Sequence, residues 1–425
     1  MLASRREKKH SPRRYDSDEA SLTGSELNNC ASRKSSSVLL SRLLPGNFDG
    51  EGRNAGRAKV RLTILFYVTL LRISYALNCP GTLNACLCEN LSEAGDKLKL
   101  DCSGVSVEDA KSVLQEISED ENVTWDFLAT NCSWTELPDG FFGNHRIERI
   151  DIYECGLEKI SEAALRSTSQ YLRDIRFMSN NLVSFPFELE MPNLDTLILY
   201  DNKFDRFPRL QYPNLRLLFL GGNLFEELPE DAFRSVPQLQ DLYLGGNVLR
   251  TMPASALATL KHLRILACES GYMRNLVAGS LEFAEEAQVD YLILHYNEIT
   301  EIDVNALTPG RFPKEKFLLN NNNLTVLPQN LFKPMLQSFI TAGKGSLSVA
   351  ENPLHCCAHL WLFRDRRYFR WFEDLTSTTC TIGDETIQFT EVKYRKLRAD
   401  CARLRRSNPR ARGSSSNQDN DDDAE

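Results

Sequence analysis

Apolar residues recur at fixed intervals through the middle of the chain. The segments LRLLFLGGNLF, at residues 215–225, and LQDLYLGGNVL, at residues 239–249, share the pattern L-x-x-L-x-L-x-x-N-x-L. The same frame returns in both directions at intervals of about 21–26 residues, with a longer gap before the last copy. One copy cannot bury its own apolar face, so neighbouring copies must stack on one another. The pattern therefore predicts a solenoid of repeated units.

About ten copies fit this frame, and each predicts the same local structure. The L positions point inward from a short parallel strand, where each buried Leu or Ile contributes roughly 1.5–3 kcal/mol. The ninth position, usually asparagine, is predicted to bond backbone groups that would otherwise be buried without partners. The predicted fold class is an α/β solenoid, a leucine-rich repeat horseshoe with a parallel concave sheet. We call the ninth position the ladder position, and it is held by Cys132, Cys155, Asn180, Asn202, Asn223, Asn247, Gly271, Asn297, Asn322 and Asn352.

Cysteines cluster at both ends of the repeats. The segment CPGTLNACLCENLSEAGDKLKLDC precedes them and NPLHCCAHLWLF opens the segment that follows. Both resemble the cysteine caps of extracellular leucine-rich repeat proteins, and such caps cover the exposed ends of a solenoid. The adjacent Cys356 and Cys357 depart from the family's C-x-C, which leaves the second pairing open. The resemblance implies the pairs Cys79–Cys88, Cys86–Cys102, Cys356–Cys380 and Cys357–Cys401.

Three further cysteines need an explanation. The chain has 12 cysteines, and Cys30 lies upstream of the predicted export signal, so 11 remain and at least one is unpaired. Cys268 occupies an L position, which suits a buried thiol. Cys132 and Cys155 hold the ladder position of consecutive copies, where adjacent strands lie about 4.8 Å apart. They are therefore either bonded to each other or present as thiols in place of asparagine.

An apolar segment upstream of the repeats predicts export. Residues 62–71 read LTILFYVTLL, and Ser74 and Ala76 supply the small residues of a cleavage site. The run is short for a membrane span, so we interpret residues 59–76 as a signal peptide cleaved after Ala76. Two explanations of its late position stay open. The true start lies downstream of the first 58 residues, which we favour, or residues 60–77 are an uncleaved anchor that holds the chain at a membrane.

Composition and repeat pattern divide the chain into six predicted parts. Apolar spacing at Val107, Ala110, Val113, Leu114 and Ile117 predicts an amphipathic helix inside the N-terminal cap. The parts are a disordered polar region at 1–58, the signal peptide at 59–76, the N-terminal cap at 77–122, the repeats at 123–352, the C-terminal cap at 353–401 and a disordered tail at 402–425.

Recognised catalytic and nucleotide-binding motifs are missing from the sequence. It has no G-x-S-x-G, G-x-x-x-x-G-K-[ST] or H-E-x-x-H segment. The net charge of −8 argues against nucleic-acid binding. The segment HCCAH, residues 355–359, has metal-ligand residue types, but the cap pattern assigns its cysteines to disulfides. We therefore predict a non-enzymatic protein with no catalytic residue, metal or cofactor.

The residue between the second and third L positions is predicted to face out of the concave sheet. It is charged in the early copies, at Asp151 and Arg176, and apolar or aromatic from Ile198 onward. Exposed apolar patches usually mark interaction sites, and Tyr and Phe are typical anchors. The alternative is that the tail or a glycan covers the patch. We predict an extracellular protein partner on the concave face, contacted by Ile198, Tyr200, Phe219, Tyr243, Tyr291, Ile293 and Leu318.

Two glycine pairs adjoin the predicted anchors. Gly221–Gly222 and Gly245–Gly246 could suggest a phosphate-cradling loop, but no lysine or helix start follows either pair. We predict instead that they form a bare floor beside Phe219 and Tyr243. Four N-x-[ST] sequons agree with export and predict glycosylation at Asn90, Asn122, Asn131 and Asn323.

A narrower resemblance concerns three segments of the chain. The first cap segment, ATNCSWTELPDGFF and LFLGGNLFEELPEDAF are similar to the family of non-catalytic leucine-rich repeat subunits known from a secreted shrimp luciferase and its arthropod relatives. The resemblance implies a secreted, non-enzymatic subunit that accompanies another protein. Two alternatives remain, a matrix protein like the small leucine-rich proteoglycans and the ectodomain of a type II membrane receptor.

Overall fold

The repeats and the N-terminal cap together build one 12-stranded sheet. The computed structural model describes residues 85–407, so the predicted signal peptide, the region before it and Cys79 lie outside the described part. Within the sheet β1 is antiparallel to β2, and every other neighbouring pair is parallel. The predicted leucine-rich repeat solenoid is thereby confirmed. The strands are β1 Leu87–Asn90, β2 Lys97–Asp101, β3 Thr124–Thr130, β4 Glu136–Leu137, β5 Arg146–Tyr153, β6 Lys159–Ile160, β7 Asp174–Met178, β8 Thr196–Ile198, β9 Leu217–Phe219, β10 Asp241–Tyr243, β11 Ile265–Ala267, β12 Asn275–Leu276, β13 Tyr291–Ile293, β14 Glu301–Ile302, β15 Lys316–Leu318, β16 Ser346–Ser348, β17 Thr379–Ile382 and β18 Glu385–Gln388.

Six of these strands form short pairs outside the main sheet, namely β4 with β6, β12 with β14 and β17 with β18. The return segments are mostly turns, and the long gap before the last repeat contains a 14-residue helix, α3. None of the described helices is long and apolar enough to cross a membrane. The helices are α1 Val107–Glu116, α2 Glu162–Arg166, α3 Gln329–Ala342, α4 Leu360–Arg364 and α5 Tyr394–Ser407, with 3-10 turns at Cys356–His359 and Arg366–Trp371.

The core is a stack of the inward L positions. Leu218 pairs with Leu197 on one side and Leu242 on the other, and the same register continues to Leu266 and Leu292. All five side chains are fully buried. Each contributes roughly 1.5–3 kcal/mol, but only while the next repeat covers it. The stacked register therefore explains why the repeats are stable only together.

The ladder asparagines connect consecutive repeats through their side chains. Asn223 donates from Nδ2 to the carbonyl oxygens of Leu199 and Leu220, both at 3.0 Å. Its Oδ1 accepts from the backbone N–H of Phe204 at 3.2 Å. The same bonding recurs at other ladder asparagines, such as Asn247. These bonds satisfy buried backbone groups at the turn, as the sequence predicts.

The residue just before the ladder position has a left-handed backbone in every repeat. At Gly222 and Gly246 φ is +65° and +71°. This backbone conformation strains a residue that has a side chain, and glycine adopts it freely. In the other repeats a residue with a side chain holds this position in the same left-handed conformation. Their φ values lie between +50° and +56° at Asn131, Glu154, Ser179, Asp201, Ser270, Tyr296, Asn321 and Glu351.

Disulfides lie at both ends of the solenoid. Cys86 is bonded to Cys102, and at the other end the structure contains the pairs implied by the family resemblance, Cys356–Cys380 and Cys357–Cys401. Cys132 and Cys155 are also bonded, which selects one of the two alternatives for these ladder cysteines. Cys268 is a buried free thiol.

Both caps add helices to the ends of the sheet. Ser106 caps α1 by accepting from the Asp109 N–H, and Ala110, Val113 and Leu114 are buried, as the apolar spacing predicts. At the other end α5 continues through Ser407. The predicted start of a disordered tail at residue 402 is therefore wrong by six residues, because Cys401 anchors a helix whose following residues are good helix formers.

Candidate partner-binding site

One face of the sheet packs on the core, and the other carries the predicted partner-binding residues. We call the second face the open face. Strand residues alternate between the two, so Phe219 faces outward while Leu218 and Leu220 are buried. Five of the predicted contact residues are partly exposed there, namely Tyr200, Phe219, Tyr243, Tyr291 and Leu318.

The two predicted isoleucine contacts are buried rather than exposed. Ile198 is 4% exposed and Ile293 is 6% exposed, so the expectation that they present an apolar surface is wrong. Ile198 lies between Arg176 and Phe219 on adjoining strands, and both of these side chains are longer. The predicted apolar stripe is therefore not continuous. Its longer side chains are exposed, and the shorter isoleucines between them are buried.

Three aromatic rings on adjacent repeats form a contiguous group, which we call the aromatic row. The rings of Tyr200 and Phe219 have centroids 5.1 Å apart. Those of Phe219 and Tyr243 are stacked, with centroids 4.9 Å apart and planes 27° from parallel. Such pairs are favourable by about 0.5–1.5 kcal/mol beyond the area they bury. The row is therefore preorganised, and a partner would lose little entropy in ordering it.

The glycines beside this row are covered, which corrects the prediction of a bare floor. A Cβ at Gly221 would lie 2.7 Å from Cε2 of Phe219 and 2.8 Å from the carbonyl oxygen of Gly245. A Cβ at Gly245 would lie 2.5 Å from Cδ of Glu269. The Phe219 ring and the Glu269 carboxylate therefore fill the space that the missing side chains leave. Sequence spacing places these residues on one face but does not give the direction in which they lean.

Two carboxylates beside the aromatic row have atoms without hydrogen-bond partners. Oε2 of Glu269 and Oδ1 of Asp241 are shielded from solvent and accept no hydrogen bond. Burial raises the pKa of Glu269, although a bond with its own backbone opposes the rise. Burial also raises the pKa of Asp241, while the nearby Arg264 lowers it and Asp290 raises it. Sequence reasoning missed both residues, because surface carboxylates are normally solvated.

The N-terminal part of the open face pairs its charges internally. Lys97 lies 3.3 Å from Asp126 and 3.0 Å from Glu148. Arg176 lies 2.8 Å from Asp174 and 3.6 Å from Asp151. These opposite charges compensate one another, although Oδ1 of Asp126 and Oδ1 of Asp151 also lack hydrogen-bond partners.

Apolar side chains also line the edge where the strands end, and sequence reasoning missed most of them. Leu224, Val248 and Tyr272 follow the ladder position of three consecutive repeats. Leu224 is 47% exposed and Tyr272 is 48% exposed, and Tyr296 on the next repeat is 50% exposed. We call these four residues the edge row. The signal was present in the sequence, because the residue after the ladder position is polar in the flanking repeats, at Lys203 and Glu298.

The segment HCCAH is part of the C-terminal cap. Both cysteines are in disulfides, and Nε2 of His359 accepts from the Leu327 N–H at 2.8 Å. Its Nδ1 therefore carries the proton and donates to the His355 carbonyl at 2.7 Å. Burial lowers the pKa of His359 to about 4. Within residues 85–407 no group of three or more His, Cys, Asp or Glu side chains could hold a metal ion.

The four predicted glycosylation sites all lie at exposed positions, and none is in the aromatic row. Asn131 directly follows β3 in the charged part of the open face. Asn323 lies near the C-terminal end of the repeats, one residue after the ladder residue Asn322. Glycosylation at these positions stays a prediction.

Stacked parallel strands, ladder asparagines and disulfides near both ends define the class of this molecule as a leucine-rich repeat protein. The family model described as leucine rich repeat matches residues 213–268. A chain in the structure "Octameric complex of Latrophilin 3 (Lec, Olf), Unc5D (Ig, Ig2, TSP1) and FLRT2 (LRR)" is similar in fold, with a TM-score of 0.51. It is 17% identical, and the match covers 70% of this chain and 91% of that one.

Among named proteins, the chain is similar to the Oplophorus-luciferin 2-monooxygenase non-catalytic subunit of Oplophorus gracilirostris. The two are 24% identical over a 329-residue alignment, and the match covers 70% of this chain and 83% of the relative. The resemblance seen in the sequence is thereby confirmed. A shorter match, 27% identical over 118 residues, is to the leucine-rich repeat-containing protein let-4 of Caenorhabditis elegans. It covers 28% of this chain and 15% of let-4.

Proposed function

We propose that this chain is a secreted, non-enzymatic protein that binds a protein partner through the aromatic row and the edge row. The observation that carries the proposal is the stacked pair of Phe219 and Tyr243, partly exposed on a rigid sheet. Rigid aromatic side chains with apolar neighbours are typical centres of protein interfaces. The partner's surface would need apolar groups to cover both rows.

Two findings support the role of an accompanying subunit. The similar Oplophorus protein is by name a non-catalytic subunit, so a chain of this kind can serve an enzyme without performing chemistry. Disulfides at both ends favour an oxidising compartment such as the extracellular space. The chain would then act as a carrier or stabilising subunit of a secreted protein.

A variant pair tests the proposal directly. Phe219→Asp combined with Tyr243→Asp places two charges in the centre of the aromatic row, where contact with an apolar partner would leave them desolvated. The control is Val183→Asp combined with Val326→Asp, which alters two exposed valines outside the open face. Both variants and the unmodified chain are used to capture proteins from extracellular fluid of the organism that makes the chain.

The decisive step is reconstitution with a purified candidate. A protein captured by the unmodified chain and the valine control, identified by mass spectrometry, should bind the purified chain in a defined ratio. Its affinity should fall at least about a hundredfold with the Phe219 and Tyr243 variant, as expected for loss of interface hot spots. Equal affinity for the folded double variant and the control would show that the aromatic row is not the binding site.

If the chain is instead a matrix protein, the purified chain should bind collagen or glycosaminoglycan. A start at Leu77 in N-terminal sequencing of the exported protein would exclude the membrane-anchored alternative.

A further inference from the structure

The last helix of the C-terminal cap, α5, carries a concentrated positive charge. Its 14 residues include six basic side chains and one acidic side chain, whereas the whole chain has a net charge of −8. Five of the six basic residues are arginines, whose planar guanidinium groups bind carboxylates through paired hydrogen bonds. All six are exposed, namely Arg395, Lys396, Arg398, Arg403, Arg405 and Arg406.

One side of α5 is fixed to the cap. Leu397 is 4% exposed, and Cys401 is bonded to Cys357. Residues four positions apart share one side of a helix, so this side packs on the cap and the opposite side faces solvent. We call the solvent side the basic face, and it consists of Arg395, Lys396, Ala399, Ala402, Arg403 and Arg406.

The stability of the helix itself does not explain the charges of the basic face. Arg395 and Lys396 lie in the first turn, where the partial positive charge of the helix N-terminus repels cations. Arg403 and Arg406 are three positions apart, a spacing at which like charges repel each other. The single acidic residue of α5, Asp400, lies 3.5 Å from Arg403 and can balance only one of these charges. An anionic group bound to the basic face would relieve the repulsion.

The chain contains a segment with the complementary charge. Residues 419–425 read DNDDDAE, with five acidic residues and no basic one, and they lie outside the described part. A connection of about 12 residues joins this segment to Ser407, the last residue of α5. Such a connection, rich in Ser and Asn, spans roughly 17–21 Å. Because α5 is about 21 Å long, the acidic segment can reach the whole basic face.

The covalent connection favours this segment over an anion from solution. Two groups joined by a short connection meet at an effective concentration in the millimolar range. An external anion at a lower concentration would have to displace the segment. The segment also matches the basic face in charge, since each carries several charges of one sign within a few turns of chain.

We infer that residues 419–425 bind along the basic face of α5 and cover it. The basic face is then accessible to other anionic ligands only when the segment is displaced. This contact goes beyond the proposed function and does not depend on it, because the aromatic row lies on the repeats and the basic face on the C-terminal cap.

Zero-length cross-linking measures this contact on the unmodified chain. A carbodiimide joins a carboxylate to a lysine amine only where the two groups touch, and Lys396 is the one lysine of α5. At low ionic strength, mass spectrometry of the digested monomer should find Lys396 joined to an acidic residue of 419–425. In about 1 M NaCl the yield should fall at least about fivefold, because charges are then screened beyond about 3 Å.

Neutral substitutions in the basic face test its role while Lys396 stays as the reporter. The test variant changes the three arginines of the basic face, Arg395→Gln, Arg403→Gln and Arg406→Gln. The control removes the same charge from three exposed arginines of the repeats, Arg206→Gln, Arg234→Gln and Arg250→Gln. The yield should fall at least about fivefold in the test variant, as expected when several exposed ion pairs are lost, and should not change in the control. Equal yields in these two variants, or no such product from the unmodified chain at low ionic strength, would overturn the inference.

Competition with a fluorescent poly-aspartate peptide gives a second readout that needs no cross-link. A full-length chain with a neutral segment carries Asp419→Asn, Asp421→Asn, Asp422→Asn, Asp423→Asn and Glu425→Gln. It should bind the peptide at least about tenfold more tightly than the unmodified chain at low ionic strength, because its own segment no longer competes. The gain should disappear when the three arginines of the basic face are also changed. Equal affinity of the neutral-segment and unmodified chains would mean that the basic face stays open to external anions, which contradicts the inference.

Discussion

The carboxylate of Glu269 occupies the space above Gly245. A Cβ built on Gly245 would lie 2.5 Å from Cδ of Glu269 and 2.6 Å from its Oε1, closer than real Cβ atoms approach such groups. The glycine thus allows an acidic side chain from the next repeat to lie flat against the sheet. Gly221 has a different neighbour, because its missing side chain leaves room for the Phe219 ring and for a fixed backbone oxygen. Two glycines at equivalent positions therefore have different roles, which substitution by alanine can separate.

We expect Gly221→Ala to destabilise the chain by about 1–3 kcal/mol, because its Cβ would be forced against the Gly245 carbonyl oxygen and the packed ring. Gly245→Ala should change the free energy of unfolding by less than about 1 kcal/mol. The atoms nearest to its Cβ belong to the flexible end of Glu269, which can move aside, and alanine reduces the entropy of the unfolded chain. Urea denaturation monitored by circular dichroism measures both changes.

Glu269→Ala provides the control for this comparison. In that background no carboxylate lies above Gly245, so Gly245→Ala should become neutral or stabilising. Destabilisation by Gly245→Ala as large as that by Gly221→Ala, in either background, would mean that the backbone at position 245 cannot accept any side chain.

The ladder explains why the fold could be predicted from the sequence. A buried Leu and a buried Asn recur because the Leu fills the core and the Asn bonds buried backbone groups in the same way in each repeat. Gly271 is an exception, because it holds the ladder position without a side chain. A Cβ at Gly271 would lie 2.9 Å from Oδ1 of Asn297, so the amide of the next repeat fills its place. Periodicity identifies position 271 as a ladder position, but it does not show that a side chain of the next repeat fills the space there.

The site was less predictable, because exposure depends on neighbouring side chains. Ile198 faces outward like Phe219, yet it is buried because the side chains beside it are longer. The unpaired carboxylate of Glu269 depends on a glycine 24 positions earlier in the sequence. Predicting such relationships requires the direction in which each side chain points, and repeat spacing does not give that direction.

Loss of one ladder asparagine should be costly. Asn223→Ala removes the partner of the Leu199 and Leu220 carbonyl oxygens and of the Phe204 N–H, all in the buried turn. Each such orphaned group costs about 1–3 kcal/mol, less whatever water can replace, so we expect a loss of about 2–4 kcal/mol in unfolding free energy. The control is Asn214→Ala, an exposed residue with one bond to the Pro192 carbonyl, which should cost less than about 1 kcal/mol. Similar losses for both variants would contradict the ladder's role.

Asp151 should make the stability of the chain depend on pH. Burial raises its pKa from 3.8 to about 6, while Arg176 lowers it and Asp174 raises it. Between these pH values the folded chain holds a proton that the unfolded chain has released, so unfolding free energy falls as pH rises. The full change is at most about 3 kcal/mol, and solvent near the site should reduce it to about 1–2 kcal/mol.

Asp151→Asn removes this titration. The unfolding free energy of the variant minus that of the unmodified chain should increase between about pH 4 and pH 6 and then level off. His359, whose pKa lies at about 4, is present in both proteins and cancels in the difference. Chemical denaturation at a series of pH values checks this, and a difference that stays constant from pH 4 to 7 would show that Asp151 titrates alike in both states.

The number of free thiols tests the disulfide pattern. In the chain beginning at Leu77 we expect one thiol, Cys268, which is buried and whose pKa burial raises well above its ordinary value. It should therefore react with a thiol reagent only after the unreduced protein is denatured. Cys268→Ser should then show no thiol at all, whereas three thiols in the unmodified chain would mean that Cys132 and Cys155 are not bonded. If they are bonded, replacing both by Ser should leave the count at one and lower the unfolding free energy by about 2–4 kcal/mol.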